Sequence, residues 1–245
     1  MNELDFSGQT VLVVGGSSGI GNAIARAFLR QGATVHVAGT RATAADYADS
    51  EDSQLDGLHY TQLDVARFDD IAAWQPPFAQ LDVLVLAQGI VLYEQREFKA
   101  AGFQQVIDVN LNSLMVLADK FHPMLKAARG ALIIISSTAA FHSTRGNPAY
   151  NASKAGALGL TRTLGDAWAP DGIRVNGIAP GLVATKMTKI TTDHPKRLAA
   201  MLSNIPLQRL GTTDEMASVA LFLASPMAAY IVGQTIPVDG GLVLR

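Results

Sequence analysis

A short β-branched run that breaks into a glycine-rich stretch constrains the fold more than any other part of the chain. Residues 10–14 read as a strand, residues 15–21 are Gly-Gly-Ser-Ser-Gly-Ile-Gly, and apolar residues then recur at helical spacing through Phe28. Glycines permit a tight turn and let backbone N–H groups approach an anion, whose charge the N-terminus of the following helix favours. The stretch therefore predicts a strand, a loop suited to a pyrophosphate, and a helix.

The spacing of these glycines, Gly-x-x-x-Gly-x-Gly, differs from the Gly-x-Gly-x-x-Gly of many dinucleotide-binding folds. Two other interpretations stay open at this point. One is a plain glycine-rich turn. The other is a nucleophile elbow, because Gly15 to Gly19 also fits Gly-x-Ser-x-Gly with Ser17 as the nucleophile. The elbow needs an oxyanion loop from an earlier strand, whereas here it would follow the first one.

Six further apolar runs predict strands, and helical patterns separate most of them. They are Thr34 to Ala38, Leu58 to Leu63, Leu81 to Leu86, Ala131 to Ile135, Ile173 to Ile178 and Gln234 to Val238. Strands that alternate with helices form parallel sheets with both faces covered. We therefore predict an α/β fold, a single Rossmann domain over residues 1–245, with a doubly wound parallel seven-stranded sheet and helices on both faces. Residues 183–210 carry no clear strand and predict a covering loop and helix segment.

Composition excludes several classes of function. The 245 residues are 49% hydrophobic with a net charge of −2, so the chain can bury one large core and shows no nucleic-acid footprint. There is no cysteine, which excludes disulfides, thiolate catalysis and cysteine metal sites. We expect no metal site. We also expect no membrane segment, because no apolar run is long enough to span a membrane and the polar start does not read as a signal peptide. We predict a cytoplasmic protein.

Ser137, Tyr150 and Lys154 are the candidate catalytic residues. Tyr150 and Lys154 are four residues apart, so on a helix they share one face. A free phenol has a pKa of about 10, and a cation at about 4 Å contributes about 4 kcal/mol at an effective dielectric of about 20. We therefore expect Lys154 to lower the pKa of Tyr150 toward the range useful for acid–base catalysis. Ser137 follows a buried strand, at the edge where ligands bind.

The end of the second strand bears on the choice of nucleotide. An acidic residue there accepts the ribose 2′-hydroxyl of NAD(H), whereas a basic one accommodates the 2′-phosphate of NADP(H). Thr40-Arg41 offers a hydroxyl and a guanidinium, which favours NADP(H), with NAD(H) as the alternative. Asp64-Val65 follows the third strand, where an adenine edge would lie. Asn110 lies within a predicted helix over residues 103–121, where asparagine is a poor helix former, and it invites either a polar role or a satisfied core amide.

Together these residues resemble the short-chain dehydrogenase/reductase family in its compact single-domain form. The matching pieces are Gly15-x-x-x-Gly19-Ile20-Gly21, Asp64-Val65, Asn110, Ser137, Tyr150-x-x-x-Lys154, Pro180-Gly181 with Thr185, and Val238-Asp239-Gly240-Gly241. The resemblance covers nearly the whole chain, and its β-ketoacyl-[acyl carrier protein] reductase-like subgroup is the most similar in general pattern. It implies hydride transfer between NADP(H) and a small-molecule ketone or secondary alcohol.

The resemblance also implies a role for each candidate. Tyr150 would be the general acid and base, and Lys154 would lower its pKa and hold the nicotinamide ribose. Ser137 would bind the carbonyl oxygen, and Asn110 would hold a water that links Lys154 to solvent. The residues expected to bind the cofactor are Gly15, Ser17, Ser18, Gly19, Ile20, Gly21, Thr40, Arg41, Asp64, Val65, Ala87, Gly89, Tyr150, Lys154, Pro180, Gly181, Val183 and Thr185. A homotetramer is implied as well, with residues 240–245 near an interface.

Three positions depart from the family pattern. Val14 replaces the usual threonine before the first loop glycine, and Leu86-Ala87-Gln88-Gly89 replaces Asn-Asn-Ala-Gly. Ser18 stands where NADPH-dependent members often have a basic residue, which weakens the prediction of NADP(H). Two alternatives in function remain: an NAD-dependent secondary alcohol dehydrogenase, and a non-catalytic dinucleotide-binding sensor.

Overall fold

A computed structural model describes residues 3–244, so Met1, Asn2 and Arg245 lie outside the described residues, and with them the ends of the predicted domain and of the predicted C-terminal interface. One seven-stranded sheet with the order β3-β2-β1-β4-β5-β6-β7 forms the centre, and every neighbouring pair is parallel. The strands are β1 (Thr10–Val14), β2 (Thr34–Gly39), β3 (His59–Gln62), β4 (Val83–Leu86), β5 (Ala131–Ile135), β6 (Arg174–Pro180) and β7 (Thr235–Val238). The predicted doubly wound sheet is confirmed.

Eight α-helices accompany the strands within the described part of the chain. They are α1 (Gly19–Arg30), α2 (Phe68–Ala73), α3 (Ala100–Ile107), α4 (Ser113–Ala128), α5 (Pro148–Trp168), α6 (Lys189–Thr192), α7 (Pro195–Leu202) and α8 (Thr213–Ala224). None of the helices within residues 3–244 has the length and apolarity needed to cross a membrane.

Alternation along the central strand divides the core between two faces of the sheet. Val11 and Val13 belong to the cluster that α1 and α8 cover, and Leu12 and Val14 belong to the one that α4 and α5 cover. All four are buried, because successive side chains of a strand point to opposite faces. Burying one such side chain contributes about 1.5–3 kcal/mol. The continuous apolar runs of the sequence therefore mark strands that are covered on both sides.

The helix predicted over residues 103–121 is interrupted. It consists of α3, a π-helical turn over Asp108–Asn112, and α4, which carries the apolar pattern on to Ala128. The prediction of one regular helix is wrong at this turn. In a π-helical turn each backbone hydrogen bond spans one more residue than in an α-helix. Such turns often occur at functional sites.

The strand order reverses between β1 and β4, so the loops that follow these strands diverge and leave a crevice at the carboxyl edge of the sheet. The loops after β5 and β6 end at the same edge. Residues 183–210, which the sequence predicted as a covering segment, run beside it as a 3-10 turn (Lys186–Thr188) followed by α6 and α7. A parallel bridge between Val183 and Gly211 ties the two ends of this segment together.

Candidate active site

Tyr150 and Lys154 lie one turn apart on α5, as the spacing predicted. The Lys154 Nζ is 5.6 Å from the centroid of the Tyr150 ring. Lys154 is only 5% exposed, and its Nζ donates a hydrogen bond to the carbonyl oxygen of Ile135 at 2.9 Å. The end of β5 therefore holds the lysine, and its ammonium lies beside the phenol.

Ser137 completes this group from the loop after β5. It starts a 3-10 turn, and its Oγ accepts the N–H of Ala139 at 3.1 Å, which fixes the side-chain rotamer. The Ser137 hydroxyl also hydrogen-bonds the Tyr150 phenol. Two hydroxyl groups and one ammonium thus converge at the carboxyl edge of β5, an arrangement able to bind an oxygen atom and to exchange a proton with it.

The pKa values of this group depart from the sequence-based prediction. Burial raises the pKa of Tyr150, the Ser137 hydrogen bond opposes that rise, and Tyr93 and Glu97 add to it. Burial also lowers the pKa of Lys154 to about 8. The predicted net shift of the Tyr150 pKa toward neutrality is therefore wrong for this structure, in which burial outweighs the opposing effects. Desolvation acts against the charged form of both groups, and the sequence does not show its extent.

Asn110 is fully buried in the π-helical turn and lies close to Lys154. Its Nδ2 donates to the Oγ of Ser153 at 3.2 Å, and both of its amide atoms bond to the backbone of Ile90. A Cβ placed on Gly89 would lie 3.5 Å from the Asn110 Oδ1 and 3.6 Å from the Lys154 Nζ. The structure therefore brings Asn110, Gly89 and Lys154 together.

The glycine-rich loop fits a pyrophosphate. At Gly15, whose φ is +76°, a Cβ would lie 2.7 Å from the backbone nitrogen of Gln88, and at Gly21 it would lie 2.2 Å from the carbonyl oxygen of Gly15. Only glycine fits at these positions, so the loop presents bare backbone. In the described chain, the first turn of α1 holds no acidic residue, and Ser18 makes no side-chain cap bond to it. The N–H groups of that turn, including those of Ile20 and Gly21, remain available to an anion.

The nucleophile elbow is not supported. Ser17 is 7% exposed, its hydroxyl hydrogen-bonds the phenol of Tyr47, and its carbonyl oxygen accepts a bond from Ser53 at 2.6 Å. A serine nucleophile needs a base such as histidine to remove its proton, whereas the partner of the Ser17 hydroxyl is a phenol.

The polar segment after β2 closes on this loop instead of lying free in solvent. The Gly19 N–H donates to the carbonyl oxygen of Asp52 at 2.8 Å. The Asn22 side chain accepts the N–H of Gln54 at 3.0 Å and donates to its carbonyl at 3.1 Å. These contacts could not be predicted from the sequence, because the segment takes part through backbone groups, which every residue carries.

Arg41 and Thr40 follow β2, as predicted. The Arg41 guanidinium lies 4.5 Å from the centroid of the Tyr47 ring and donates to the backbone oxygen of Asp46, while Thr40 is exposed. Arg41 borders a cleft of about 610 Å³. The charged residues that line the cleft are Arg41, Lys186, Lys189, Asp46, Asp49, Glu51, Asp52 and Asp193. Carboxylates outnumber basic groups there, which disfavours an additional negative charge.

The remaining predicted cofactor residues lie along the same edge, with different exposures. Val65 and Val183 are buried in the core, so only their backbone is accessible to a ligand. Asp64 is exposed, and its Oδ1 accepts the N–H of Ala66 at 3.0 Å. The Thr185 methyl would be 3.6 Å from a Cβ on Gly19. Ala87, Pro180 and Gly181 lie at the ends of β4 and β6.

Two departures from the family pattern are compensated by packing. Val14 and Leu86 are register partners in the adjacent strands β1 and β4, and both are fully buried, so apolar contact replaces the polar side chains usual at these positions. Gln88 turns inward, and its Nε2 donates to the Oγ of Ser113 at 2.9 Å. The loop after β4 is therefore anchored to the start of α4.

Sequence reasoning missed three residues around Tyr150 and the glycine-rich loop. Glu97 is fully buried and bonds to the backbone of Tyr150. The hydroxyl of Tyr93 donates to the carbonyl oxygen of Met187 at 2.7 Å and so ties the covering segment to the loop after β4. Tyr47 lies against Ser17 and Arg41. Each comes from a polar stretch without periodicity, which carries no signal of burial.

The described residues hold no group of three or more histidine, aspartate or glutamate side chains arranged to bind a metal ion. The groups that the structure brings to this edge are the Tyr150 phenol, the Ser137 hydroxyl, the Lys154 ammonium and the glycine-rich backbone loop.

Comparison with known proteins agrees with this geometry. Residues 14–243 match the family model described as enoyl-(acyl carrier protein) reductase. The chain is 38% identical to 2-dehydro-3-deoxy-D-gluconate 5-dehydrogenase of Bacillus subtilis, over 98% of this chain and 96% of the relative. It is 37% identical to a 3-oxoacyl-[acyl-carrier-protein] reductase of Chlamydia trachomatis, over 96% and 97% of the two chains.

A solved structure shares the whole fold. The NADP active-site complex of Pseudomonas aeruginosa RhlG superposes with a TM-score of 0.88 at 29% identity and covers 99% of each chain. The sheet order, the glycine-rich loop, the extent of the family match and these relatives lead to one conclusion: the chain belongs to the short-chain dehydrogenase/reductase family of NAD(P)-dependent oxidoreductases.

Proposed function

We propose that this protein transfers a hydride between NADP(H) and a ketone or secondary alcohol, with Tyr150 as the general acid and base. The observation that carries the proposal is the convergence of three groups at the carboxyl edge of β5. The Ser137 hydroxyl bonds to the Tyr150 phenol, and the Lys154 Nζ lies 5.6 Å from the centre of the phenol ring.

When bound, the nicotinamide exchanges a hydride with the substrate carbon, and the chain supplies the proton chemistry at the oxygen. In reduction, Tyr150 donates its phenolic proton to the carbonyl oxygen, and in oxidation the phenolate takes the proton back. Ser137 donates a hydrogen bond to the same oxygen and stabilises the negative charge that develops there. The raised pKa of Tyr150 favours the protonated phenol, which is the form that reduction requires.

Lys154 stabilises the phenolate that Tyr150 becomes during reduction. Its own pKa of about 8 lets it exchange a proton close to neutral pH. The side-chain amide of Asn110 is engaged with Ile90 and Ser153. A water held by Asn110 near Lys154 remains a prediction from the family resemblance.

The glycine-rich loop and the first turn of α1 would hold the pyrophosphate of the cofactor. NADP(H) is favoured because Arg41 presents a guanidinium at the end of β2, and because the solved relative from P. aeruginosa is an NADP complex. The carboxylates that share the cleft with Arg41 support the second candidate, an NAD-dependent secondary alcohol dehydrogenase. The two candidates differ in whether the 2′-phosphate is bound.

Two substrate classes follow from the relatives. One is a keto sugar acid, as the name of the B. subtilis relative indicates, and the other is a β-ketoacyl thioester, as the name of the C. trachomatis relative indicates. Both place a ketone within a larger molecule, which suits a site covered by residues 183–210. A cytoplasmic location and a homotetramer remain predictions from the sequence.

The first test is a fluorescence titration with NADPH and with NADH, followed by assays with a panel of ketones, keto sugar acids and β-ketoacyl thioesters. The variant Tyr150→Phe should lower turnover by about 10²–10⁴-fold and leave the affinity for NADPH nearly unchanged, because only the proton donor is removed. Tyr230→Phe is the matched control, since Tyr230 is fully exposed and loses the same hydroxyl.

Retained turnover in Tyr150→Phe would overturn the role of Tyr150. Tighter binding of NADH than of NADPH would support the NAD-dependent candidate. Nucleotide binding without turnover on any carbonyl of the panel would support the non-catalytic sensor.

A further inference from the structure

Two charged side chains are buried among the described residues, and both adjoin Tyr150. Glu97 is 0% exposed and Lys154 is 5% exposed, whereas every other Asp, Glu, Lys and Arg within residues 3–244 is partly or fully exposed. Lys154 lies one turn after Tyr150 on the same helix. Glu97 comes from a short 3-10 turn (Arg96–Phe98) that precedes α3. The proposed role of Lys154 beside Tyr150 explains why Lys154 is buried, but nothing in the proposed function explains why Glu97 is buried.

The Glu97 carboxylate binds the start of α5. Its Oε2 accepts the backbone N–H of Tyr150 at 2.9 Å. Its Oε1 accepts the N–H of Leu92 at 2.9 Å and a bond from the Nδ2 of Asn147 at 3.2 Å. Asn147 is the N-cap residue of α5 and makes no side-chain cap bond of its own. Glu97 therefore caps the helix from another element of the fold.

All three partners of Glu97 are donors, so an ionised carboxylate, which only accepts, matches them. No ion pair within the described chain includes Glu97. The N-terminal end of α5 takes the place of a counter-ion, because its free N–H groups carry partial positive charge. Burying an unpaired carboxylate is costly, and the three donors together with the end of α5 offset that cost here.

We propose that Glu97 is a positioning residue of the active site: its buried carboxylate fixes the first turn of α5 and thereby holds the phenol of Tyr150 at the substrate. This inference rests on the proposed function of Tyr150. Tyr150 is the third residue of α5, so the bond from its N–H fixes the backbone from which the phenol projects. The negative charge of Glu97 also disfavours the phenolate, and the Lys154 ammonium, 5.6 Å from the centroid of the ring, counters it.

A purely structural cap would change stability, whereas a positioning residue also changes turnover and its pH dependence. The groups that affect the ionisation of Tyr150 are the Ser137 hydroxyl, the Tyr93 phenol and the Glu97 carboxylate, and the Lys154 ammonium faces the ring. Because the charge of Glu97 raises the pKa of Tyr150, its removal should shift the titration of Tyr150 to lower pH.

The test compares Glu97→Gln with Glu94→Gln. Glu94 is exposed and lies three residues away, so the control removes the same charge outside the site. In Glu97→Gln the amide nitrogen opposes a buried donor, so we expect the melting temperature to fall. We also expect kcat to fall about 10–100-fold, with an NADPH affinity close to that of the wild type. The alkaline titration of tyrosine absorbance, taken as the difference from the matching Tyr150→Phe protein, should move to lower pH in Glu97→Gln alone.

Glu97→Asp keeps the charge but is one methylene shorter, so it should lower kcat without moving the tyrosine titration. If Glu97→Gln fails to fold, the kcat of Glu97→Asp tests the positioning role in its place. Wild-type kcat in a folded Glu97→Gln or Glu97→Asp protein, or an unmoved titration in Glu97→Gln, would overturn the inference. If Tyr150→Phe keeps the activity of the wild type, the proposed function is overturned instead. The tyrosine titration needs no substrate, so it tests the role of Glu97 separately from the proposed function.

Discussion

The side-chain amide of Asn110 pairs with both backbone groups of Ile90. Its Oδ1 accepts the N–H of Ile90 at 2.7 Å, and its Nδ2 donates to the carbonyl oxygen of Ile90 at 2.9 Å. This pairing joins the π-helical turn to the loop after β4. Gly89, the neighbour of Ile90, faces the Lys154 Nζ, so the pair also fixes one wall of the site.

Asn110→Ala should therefore lower both stability and turnover. It removes the partner of two Ile90 backbone groups, and each unpaired buried group costs about 1–3 kcal/mol. We expect the free energy of unfolding, measured in denaturant, to fall by about 2–6 kcal/mol. Asn112→Ala is the control, because the half-buried Asn112 bonds only to Asp108 in the same turn. Equal losses in the two variants would contradict the importance of the Ile90 pairing.

The rate of carbonyl reduction should fall as the pH rises above about 8, the pKa to which burial lowers Lys154. The ammonium form is present below that pH and is lost above it. The phenol of Tyr150 keeps its proton over the same range, because burial raises its pKa. A profile of kcat against pH measures the effect.

Lys154→Arg is the control for this pH dependence, since a guanidinium stays protonated throughout the range. The activity that remains in this variant should lack the descending limb. An unchanged limb would assign the titration to another group.

Thr40→Ala combined with Arg41→Ala should weaken NADPH binding about 10–100-fold and NADH binding far less, because a charge-assisted bond to phosphate contributes about 1.5–3 kcal/mol. Fluorescence titration measures both affinities. Arg30→Ala serves as the control, since this exposed arginine ends α1 on the side remote from the glycine-rich loop. An equal loss for the two nucleotides would mean that Arg41 does not bind the 2′-phosphate.

Tyr93→Phe should loosen the covering segment. The variant loses the hydrogen bond from the Tyr93 hydroxyl to the carbonyl of Met187, which is worth about 1 kcal/mol. We expect the KM for the carbonyl substrate to rise about fivefold and trypsin to cleave faster at the lysines of residues 186–196. Tyr230→Phe should change neither quantity. A wild-type rate of cleavage in Tyr93→Phe would show that other contacts hold the segment closed.

The sheet could be predicted because each of its strands is a local signal. The bounds of β1 and β5 agree residue for residue with the apolar runs, since these strands are covered on both faces and need apolar side chains throughout. The edge strand β3 is shorter than its predicted run and only half-buried, so its pattern is weaker. The π-helical turn around Asn110 could not be predicted, because it depends on a partner in another loop, Ile90.

The candidate site could be predicted only where a motif is local. Tyr150 and Lys154 are one helical turn apart, and the glycine-rich loop is contiguous, so both stood out. Glu97 meets Tyr150 across 53 residues of chain, and nothing near it distinguishes a buried acid from a solvated one. The pKa of Tyr150 had the wrong predicted direction for the same reason, since desolvation is a property of the packed fold.

The hydrogen bond from Gly19 to Asp52 has a consequence for protein engineering. Because the segment after β2 and the glycine-rich loop share backbone bonds, neither can be grafted from a homologue alone. A chimera that exchanges residues 41–54 to change nucleotide preference would have to retain Ser53 in the segment and Asn22 in α1, because these two side chains make bonds across the junction. The unit of recombination in this protein is thus a pair of segments that are distant in sequence.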